Sequence, residues 1–476
     1  MKKLLIPVVW LIITVALFSC GGSSPSSKTS GISYRAFVSD AVGNAGLFIV
    51  NASDDEHPLG LPPISAGQTP GMMVVTPNRA QTLVFSGNNT QSSDNQFSII
   101  NNSSESNAAH LTLPGYTQSF VVSPDSSITY IAVPNAPNVG GQSQGAIELV
   151  ALNSGGFAGE IFIPSVQYLA IDNGGDRLLA FSRDPDTTDS PCSSAAPCFL
   201  FVVIPSNMGT NNAVVTPVPS VNNNNNYSLD HPVTAFFSSD DTVAYVLNCG
   251  PECGGTQASV QPFNMSTNTP GTPLFVPAAS EALVSGSTMY VAGTPYAKGS
   301  PSQPCTGETT AATTCGLLTI VNLSTLTVAN SAPIVITDGY HSRIAMGDNG
   351  QLFIGARTCT EIIPPTTPPP PGTEVRGCLS IYNTQTTAVG NVQPGAVVIP
   401  PENGDVTGLQ PIETRSVVYV VQGYPTPGGS LYIYCTIIDN NYSCPTTDAL
   451  QTAPSNEPSY APLMVGNFYD VKTVDF

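Results

Sequence analysis

Charged residues are scarce in this chain of 476 residues, since Asp, Glu, Lys and Arg together make up only 9% of it. The charges that do occur are mostly negative, with 32 acidic and 13 basic side chains. Proteins bind the phosphates of nucleic acids through Lys and Arg, so we expect no nucleic-acid partner. A low charge with 41% apolar residues also excludes a disordered chain, which has few apolar residues and a high net charge.

The sequence also has almost no segments with a helical period and only one tryptophan. No segment after the N-terminal apolar stretch repeats apolar positions with a helical period, and the single Trp is Trp10. The chain instead has 44 Pro and 42 Gly residues between many short apolar runs. Such runs, bounded by turn-forming residues, indicate β-strands. The sequence therefore predicts an all-β protein.

Two recognisable catalytic motifs are absent as well. The chain has no His-Glu-x-x-His pair and no phosphate-binding loop. Two acidic, glycine-containing segments, residues 172–176 and 347–350, lack the full ligand series and the closing Glu of a calcium loop. We interpret both as turns and predict no cofactor and no metal ion.

The N-terminus has a pattern of its own. Lys2 and Lys3 precede a mostly apolar stretch at residues 4–18, as in a secretory signal peptide. As a helix this stretch would extend about 22 Å, which is less than the ~30 Å of a bilayer core. A transmembrane anchor is therefore the weaker alternative.

The stretch ends in Leu17, Phe18, Ser19 and Cys20, and this ending resembles the lipobox of bacterial lipoproteins. The resemblance implies cleavage before Cys20 and lipidation of its thiol. Two or three acyl chains anchor a protein firmly, whereas one binds only weakly. Gly21 in place of Asp implies, as in enteric lipoproteins, sorting to the outer membrane, on its periplasmic or its outer side.

Small residues after Cys20 predict a flexible tether. Without Lys2 and Lys3 the exported chain carries 11 basic and 32 acidic side chains, a net charge of −21. That charge favours a soluble domain, and we expect a monomer. The sequence thus predicts a signal peptide at residues 1–19, a lipidated tether at 20–33 and one folded domain at 34–476.

Ten cysteines remain after Cys20, and they fall into five neighbouring pairs. Exported proteins keep disulfides, and the clustering favours bonds within each pair. Structural zinc is the weaker alternative, because it needs two closely spaced pairs and only one such pair exists. The predicted disulfides join Cys192 to Cys198, Cys249 to Cys253, Cys305 to Cys315, Cys359 to Cys378, and Cys435 to Cys444.

The rest of the chain repeats with a period of about 45–60 residues, which is typical of solenoids and propellers. Each repeat has an apolar strand, a polar turn, a second strand with aromatic and β-branched residues, a loop and a third strand. Two separate β-sandwiches are the alternative, although no Pro- and Gly-rich linker divides the chain. The clearest copies begin at Ser119, Val233 and Arg343, and weaker ones near Met72, Tyr168, Glu281 and Val406.

These repeats resemble the YVTN family of β-propellers, also called lactonase-like or surface-layer-type propellers. The resemblance covers nearly all of residues 34–476 and implies one propeller with four-stranded blades. Its turn motif matches at Ser123, Pro124 and Asp125, its second-strand motif around Tyr130, Tyr245 and Tyr290, and its third-strand motif around Ile320 and Ile381.

Seven repeats have all of their opening strands, whereas an eighth, at residues 34–51, lacks the first one. The last residues, 469–476, are a candidate for that strand. Pairing the two ends of the chain would close the ring and remove exposed strand edges. The sequence therefore predicts seven or eight blades, eight by the count of repeats, closed by the N- and C-terminal strands.

Four of the five cysteine pairs lie between the second and third strands of successive repeats. In propellers of the YVTN type these loops emerge on one face, beside the entrance of the central channel. Insertions on one face often mark the binding face, and braced loops lose less entropy on binding. Protection from proteases is the alternative role. We therefore predict a non-enzymatic envelope lipoprotein that binds a protein or glycan partner.

A lactonase-like hydrolase acting at the channel mouth is the alternative function. The resemblance implies that such an enzyme uses a metal ion, or His and acidic residues, around the channel. His231 and His341 lie at the start of first strands, and Glu281 lies near the matching position between them. These three are the weak candidates for acid–base or metal chemistry, and we predict no other catalytic residue.

Overall fold

The computed structural model describes residues 29–42, 45–87, 94–137, 144–187, 190–205, 213–220, 229–295, 315–348, 350–359, 378–385, 394–400, 404–413, 415–423, 429–436 and 460–475. The predicted signal peptide, Cys20, the tether up to residue 28, Cys305 and Cys444 lie outside these ranges. The described residues form 32 strands and one 3-10 turn, Gly250–Cys253, without an α-helix. A membrane-spanning helix is not found among them.

The strands form seven sheets, which are the blades of a β-propeller. The chain begins with β1 (Arg35–Asp40) and β2 (Gly46–Asn51), which belong to the seventh blade, here called the closing blade. Blades 1 to 3 each contain four strands in chain order. Blade 1 has β3 (Pro70–Val75), β4 (Gln81–Ser86), β5 (Gln96–Asn101) and β6 (Ser106–Thr112). Blade 2 has β7 (Ser119–Val122), β8 (Ile128–Val133), β9 (Ala146–Ala151) and β10 (Gly156–Phe162). Blade 3 has β11 (Val166–Ile171), β12 (Leu178–Asp186), β13 (Cys198–Ile204) and β14 (Val214–Pro219).

In blades 4 and 5 two short outer strands share the edge of the third strand. Blade 4 has β15 (Pro232–Phe237), β16 (Val243–Asn248), β17 (Ser259–Asn264), β18 (Thr269–Pro270) and β19 (Leu274–Phe275). Blade 5 has β20 (Glu281–Ser285), β21 (Thr288–Gly293), β22 (Gly316–Asn322), β23 (Thr327–Val328) and β24 (Ile334–Ile336). Blade 6 has β25 (Tyr340–Met346), β26 (Gln351–Arg357), β27 (Leu379–Asn383) and β28 (Val397–Val398). The closing blade adds β29 (Asp405–Ile412), β30 (Val417–Gly423), β31 (Gly429–Cys435) and β32 (Tyr460–Thr473) to β1 and β2.

Middle strands of the blades are apolar on both faces because a neighbouring blade covers each face. All six residues of β9 are buried, whereas β6, at the outer edge, alternates between exposed and half-buried positions. The rings of Phe97 and Phe120 meet edge to face, 5.2 Å apart, between blades 1 and 2. Continuous apolar runs of strand length are typical of sheets that are covered on both sides. The predicted all-β propeller is thus confirmed, and two separate β-sandwiches are excluded.

The predicted Ser-Pro-Asp turn joins β7 to β8. Asp125 Oδ1 accepts hydrogen bonds from Ser123 Oγ at 2.5 Å and from the Ser127 backbone N–H at 3.0 Å. These bonds hold the pKa of Asp125 below its ordinary value, with the Ser123 hydroxyl as the largest cause. Segment 172–176 is also a turn, as predicted, because the Gly175 N–H bonds to the Asp172 carbonyl at 3.1 Å.

Strand β32 closes the ring. Its first part pairs with β31, and its second part, Phe468 to Thr473, pairs antiparallel with β1. That second part also contacts β3 and β29, so it lies beside the channel in a first-strand position. Closure by the two chain ends is therefore confirmed. The eight repeats of the sequence occupy seven blades because β32 joins the last repeat and the first in one six-stranded sheet.

The propeller has two distinct faces. Tyr340, the first residue of β25, pairs with Arg357, the last residue of β26. The connection between second and third strands therefore emerges where the first strand begins, and we call this side the looped face. The opposite side, the turn face, receives the N-terminal segment, because Thr29 Oγ1 donates to the Ser104 carbonyl in the turn after β5 at 2.9 Å.

Candidate binding face and channel mouth

Disulfides brace the connections on the looped face. Cys192–Cys198, Cys249–Cys253 and Cys359–Cys378 are bonded, as predicted, with Cα–Cα distances of 5.5, 5.7 and 5.5 Å. Cys315 and Cys435 are also in disulfides, and their predicted partners lie outside the described residues. Four of these five disulfides involve cysteines that lie between the second and third strands of blades 3 to 6. Cys435 instead ends β31, on the turn-face side of the closing blade.

Hydrogen bonds join these connections to one another. Glu252, in the loop of blade 4, accepts a bond from the backbone N–H of Thr294 in blade 5 at 2.9 Å. Thr294 Oγ1 donates to the Gly339 carbonyl at the start of blade 6 at 2.8 Å. Thr358 then donates its N–H to Asp405 of the closing blade at 2.6 Å. The loops of three blades and the closing blade therefore form one continuous, preorganised surface.

Two tyrosines meet across the channel on this face. The hydroxyl oxygens of Tyr168 and Tyr340 are 3.1 Å apart. Tyr168 belongs to β11 and Tyr340 to β25, and the first strands of blades 4 and 5 lie between them around the ring. Burial is the largest cause that raises the pKa of each tyrosine, and nearby Glu252 and Glu281 add to it. Both hydroxyls therefore stay protonated at neutral pH.

Two carboxyl groups lie in the same mouth. Burial raises the pKa of Glu252 and of Glu281 from 4.5 to about 7, and burial is the largest cause for both. Glu252 Oε1 is buried and has no hydrogen bond of normal geometry among the described residues, although the Ser280 hydroxyl lies close enough to the carboxyl to lower its pKa. Glu281 Oε1 accepts a bond from the adjacent Ala282 N–H at 3.0 Å. Near pH 7 these two groups are therefore partly protonated and can either donate or accept a hydrogen bond.

Arginines complete the mouth. Arg343 lies close enough to Glu281 to oppose the rise in its pKa, and its guanidinium donates to the Thr407 carbonyl at 2.7 Å. Arg357 donates to the hydroxyl of Tyr469 at 3.3 Å. The mouth thus combines aromatic rings, arginine side chains and partly protonated carboxyl groups. Its charge is mixed and is not of a single sign.

The three residues predicted for chemistry do not come together in this way. Glu281 lies in the mouth, but His341 is fully buried, with Nε2 3.0 Å from the Thr337 carbonyl and Cε1 packed near Gly316. His231 lies against the ring of Phe199, with Nδ1 2.9 Å from Asp230 Oδ1. Among the described residues no group of three His, Cys, Asp or Glu side chains could hold a metal ion.

Sequence reasoning missed Tyr168, Tyr340 and Glu252. Neighbouring residues of a strand point to opposite sides, so Tyr340 reaches the channel and His341 points into the blade. A pattern of aromatic residues at the beginnings of first strands could have indicated the tyrosines. Glu252 carries no such signal, because the 3-10 turn beside the Cys249–Cys253 disulfide positions it.

A cavity of about 320 Å³ lies on the turn face. Two of its lining residues are cationic, but Lys472 is paired with Asp470 at 3.2 Å and Arg79 with Glu413 at 3.7 Å. The buried Asp470 carboxylate compensates the nearer cation. Both cationic side chains of this cavity are therefore already in ion pairs.

Comparisons with known proteins support the fold. No protein-family profile and no curated protein sequence matches the chain. The structure is similar to Kuenenia stuttgartiensis hydrazine synthase, with a TM-score of 0.50 and 12% identity over 80% of this chain and 99% of that chain. It is similar to the dihydro-heme d1 dehydrogenase NirN in complex with DHE, with a TM-score of 0.56 and 10% identity over 99% and 87%. It is also similar to the Dos1 propeller, with a TM-score of 0.52 and 8% identity over 84% and 85%. At identities this low, the structural similarity supports the β-propeller fold and says nothing about activity.

Proposed function

We propose that this protein is a lipoprotein of the cell envelope whose looped face binds a protein or glycan partner. One observation carries the proposal: connections braced by disulfides emerge on the looped face from four successive blades, around the channel mouth. A preorganised surface loses less conformational entropy on binding. A propeller can be a binding scaffold or an enzyme, so the fold is compatible with this role without requiring it.

The membrane anchor in this proposal is the lipid on Cys20, and the outer membrane is its destination. The motif at residues 17–20 supports the anchor. Thr29 lies on the turn face, so a tether from the lipid would join the propeller there. The looped face would then point away from the membrane, toward a partner in the periplasm or outside the cell. The YVTN-type motifs, above all Ser123 to Asp125, support membership of that repeat family.

Charge reversal on the two faces tests the binding face. Ala195, exposed in the loop closed by Cys192–Cys198, and the exposed Gln257 of blade 4 lie on the looped face, and the exposed Ser53 lies on the turn face. We expect Ala195→Arg or Gln257→Arg to abolish capture of the envelope partner, while Ser53→Arg preserves it. Equal capture by all three variants would refute the looped face as the binding face.

A second candidate function, a lactonase-like hydrolase, is favoured by Glu281 alone. A carboxyl with a pKa of about 7 can act as a general acid near neutral pH. A panel of lactones and esters, tested with and without a chelator on the native protein and on Glu281→Gln, decides it. Turnover that is lost in Glu281→Gln would support the enzyme, and no turnover would remove this candidate.

A further inference from the structure

We infer that the channel mouth binds one sugar ring of a glycan. The inference rests on the proposed binding function and names the ligand class of the same face. The residues that would contact the sugar are Tyr168, Glu252, Glu281 and Tyr340.

Unused hydrogen-bonding capacity at the mouth is the first reason. Glu252 Oε2 accepts from Thr294, but the buried Oε1 has no hydrogen bond of normal geometry among the described residues. Each of the two tyrosine hydroxyls can donate one bond and accept more, while among the described residues these hydroxyls bond only to each other. A buried polar atom without a partner is costly. A ligand with several hydroxyls would satisfy these groups together.

The charge balance of the mouth is the second reason. Arg343 lies near Glu281, which burial holds partly neutral, and Arg357 bonds to the Tyr469 hydroxyl at the same mouth. Other groups near the carboxyls of Glu252 and Glu281 are Tyr168 and Tyr340 and the neutral Ser280 and Thr294. A lysine side chain from a protein partner would place its ammonium near the guanidinium groups of Arg343 and Arg357. Like charges repel, so this contact would be unfavourable. A strongly anionic ligand would meet Glu252 and Glu281. A neutral ligand with many hydroxyls suits this mixture of donors and acceptors.

The tyrosines of the mouth are the third reason. Tyr168 and Tyr340 bond to each other through their hydroxyls, and Tyr469 accepts a hydrogen bond from Arg357. Burial is the largest cause that raises the pKa of Tyr116, and Tyr469 and Tyr168 add to it, so Tyr116 lies near both. A tyrosine ring has an apolar face and a polar edge. Pyranose rings likewise have apolar C–H faces and a rim of hydroxyls, so one sugar ring can contact aromatic faces while its hydroxyls bond to the carboxyls.

Tyrosine fluorescence provides a direct test, because Trp10 is the single tryptophan of the chain and belongs to the predicted signal peptide. The exported protein is titrated with oligosaccharides of glucose, galactose, mannose and N-acetylglucosamine. We expect saturable binding of at least one of them. Tyr340→Phe and Glu252→Gln should each weaken it by about tenfold, the effect of losing one hydrogen bond in a buried site.

Matched controls keep the test specific. Tyr245→Phe removes a hydroxyl that bonds to Leu323 away from the mouth, and Glu413→Gln changes an exposed carboxyl on the turn face. Both should bind sugar as the native protein does. The inference is overturned if no sugar binds, if binding survives both mouth variants, or if a lysine-rich peptide binds the mouth instead. If sugar binding fails but Ala195→Arg still abolishes partner capture, the proposed function stands without this ligand.

Discussion

Arg35 and Asp475 form a bidentate ion pair although 440 positions separate them in the sequence. Arg35 Nε and Nη2 donate to the two carboxylate oxygens of Asp475, each at 2.8 Å. The same guanidinium donates to Glu105 at 2.7 Å and to the Asn102 carbonyl at 2.6 Å. One buried side chain therefore connects the N-terminal strand, the C-terminal end and blade 1, at the point where the ring closes.

Breaking that pair should destabilise the whole propeller. Asp475→Ala leaves the Arg35 guanidinium, which is 1% exposed, without its main partner. Removing one member of a buried ion pair costs about 3–5 kcal/mol, so we expect a clear fall in the thermal unfolding midpoint. Glu413→Ala is the control, because its pair with Arg79 is exposed and long at 3.7 Å. Equal midpoints for the two variants would contradict a closing role for Arg35.

Local features of this fold could be predicted from the sequence, and features that depend on the whole ring could not. The bond between Cys249 and Cys253 and the turn at Ser123 involve residues close in the chain, where spacing and turn chemistry decide the outcome. The shared strand β32 depends on how many blades the ring accommodates. Counting repeats predicts eight blades, which is one too many, because two of the repeats share one sheet.

The candidate site likewise has features that the sequence predicts and features that depend on the folded structure. The sequence predicts that the start of a first strand lies near the channel, and Glu281 is the first residue of β20. Whether Tyr340 or His341 faces the channel depends on strand parity, and β25 has a register shift between His341 and Arg343. A shift of one residue exchanges the two sides of a strand, so the sequence alone leaves the channel-facing residue undetermined.

Folding should become less favourable as pH rises because of Glu148. Burial, and then Glu160 directly opposite on β10, raise the pKa of Glu148 from 4.5 to about 7. A carboxyl with a raised folded-state pKa contributes its full stability below pH 4.5, and that contribution is lost as pH rises through 7. We expect the unfolding midpoint of Glu148→Gln, relative to the native protein, to increase by roughly 3 °C between pH 4.5 and 8. Parallel midpoint curves would rule out this role.

Acid should act through His341 in the opposite direction. Burial lowers the pKa of His341 from 6.5 to about 4, against the opposing effect of its bond to the Thr337 carbonyl. Stability from the neutral imidazole is therefore complete above pH 6.5 and is lost as pH falls through 4. His341→Gln should lose less of its unfolding midpoint between pH 6.5 and 4 than the native protein does. His110→Gln, on the exposed strand β6, should follow the native curve, and a shared curve for all three proteins would contradict the prediction.

The proposed lipidation of Cys20 predicts where the protein is found. Cys20→Ser removes the thiol that would carry the acyl chains, so we expect the protein to move from the membrane fraction to the soluble fraction, without incorporation of labelled palmitate. Gly21→Asp keeps the thiol, and by the resemblance to enteric lipoproteins it should retain the protein in the inner membrane. A Cys20→Ser protein that still sediments with membranes would refute the lipid anchor.

The Cys249–Cys253 disulfide should protect the loop that carries Glu252. A bond that closes so short a loop contributes only about 2 kcal/mol in the chain-entropy view, so replacing both cysteines by Ser should lower the unfolding midpoint modestly. The disulfide should have a larger effect on local opening of the loop, because loops can open without unfolding of the whole domain. Glutamyl endopeptidase should therefore cleave after Glu252 much faster in the double variant, as followed by mass spectrometry. Replacing Cys359 and Cys378 instead should leave that cleavage rate unchanged, since their loop belongs to blade 6. If both double variants were cleaved at Glu252 at the native rate, the disulfide would not be what holds this carboxyl in the channel mouth.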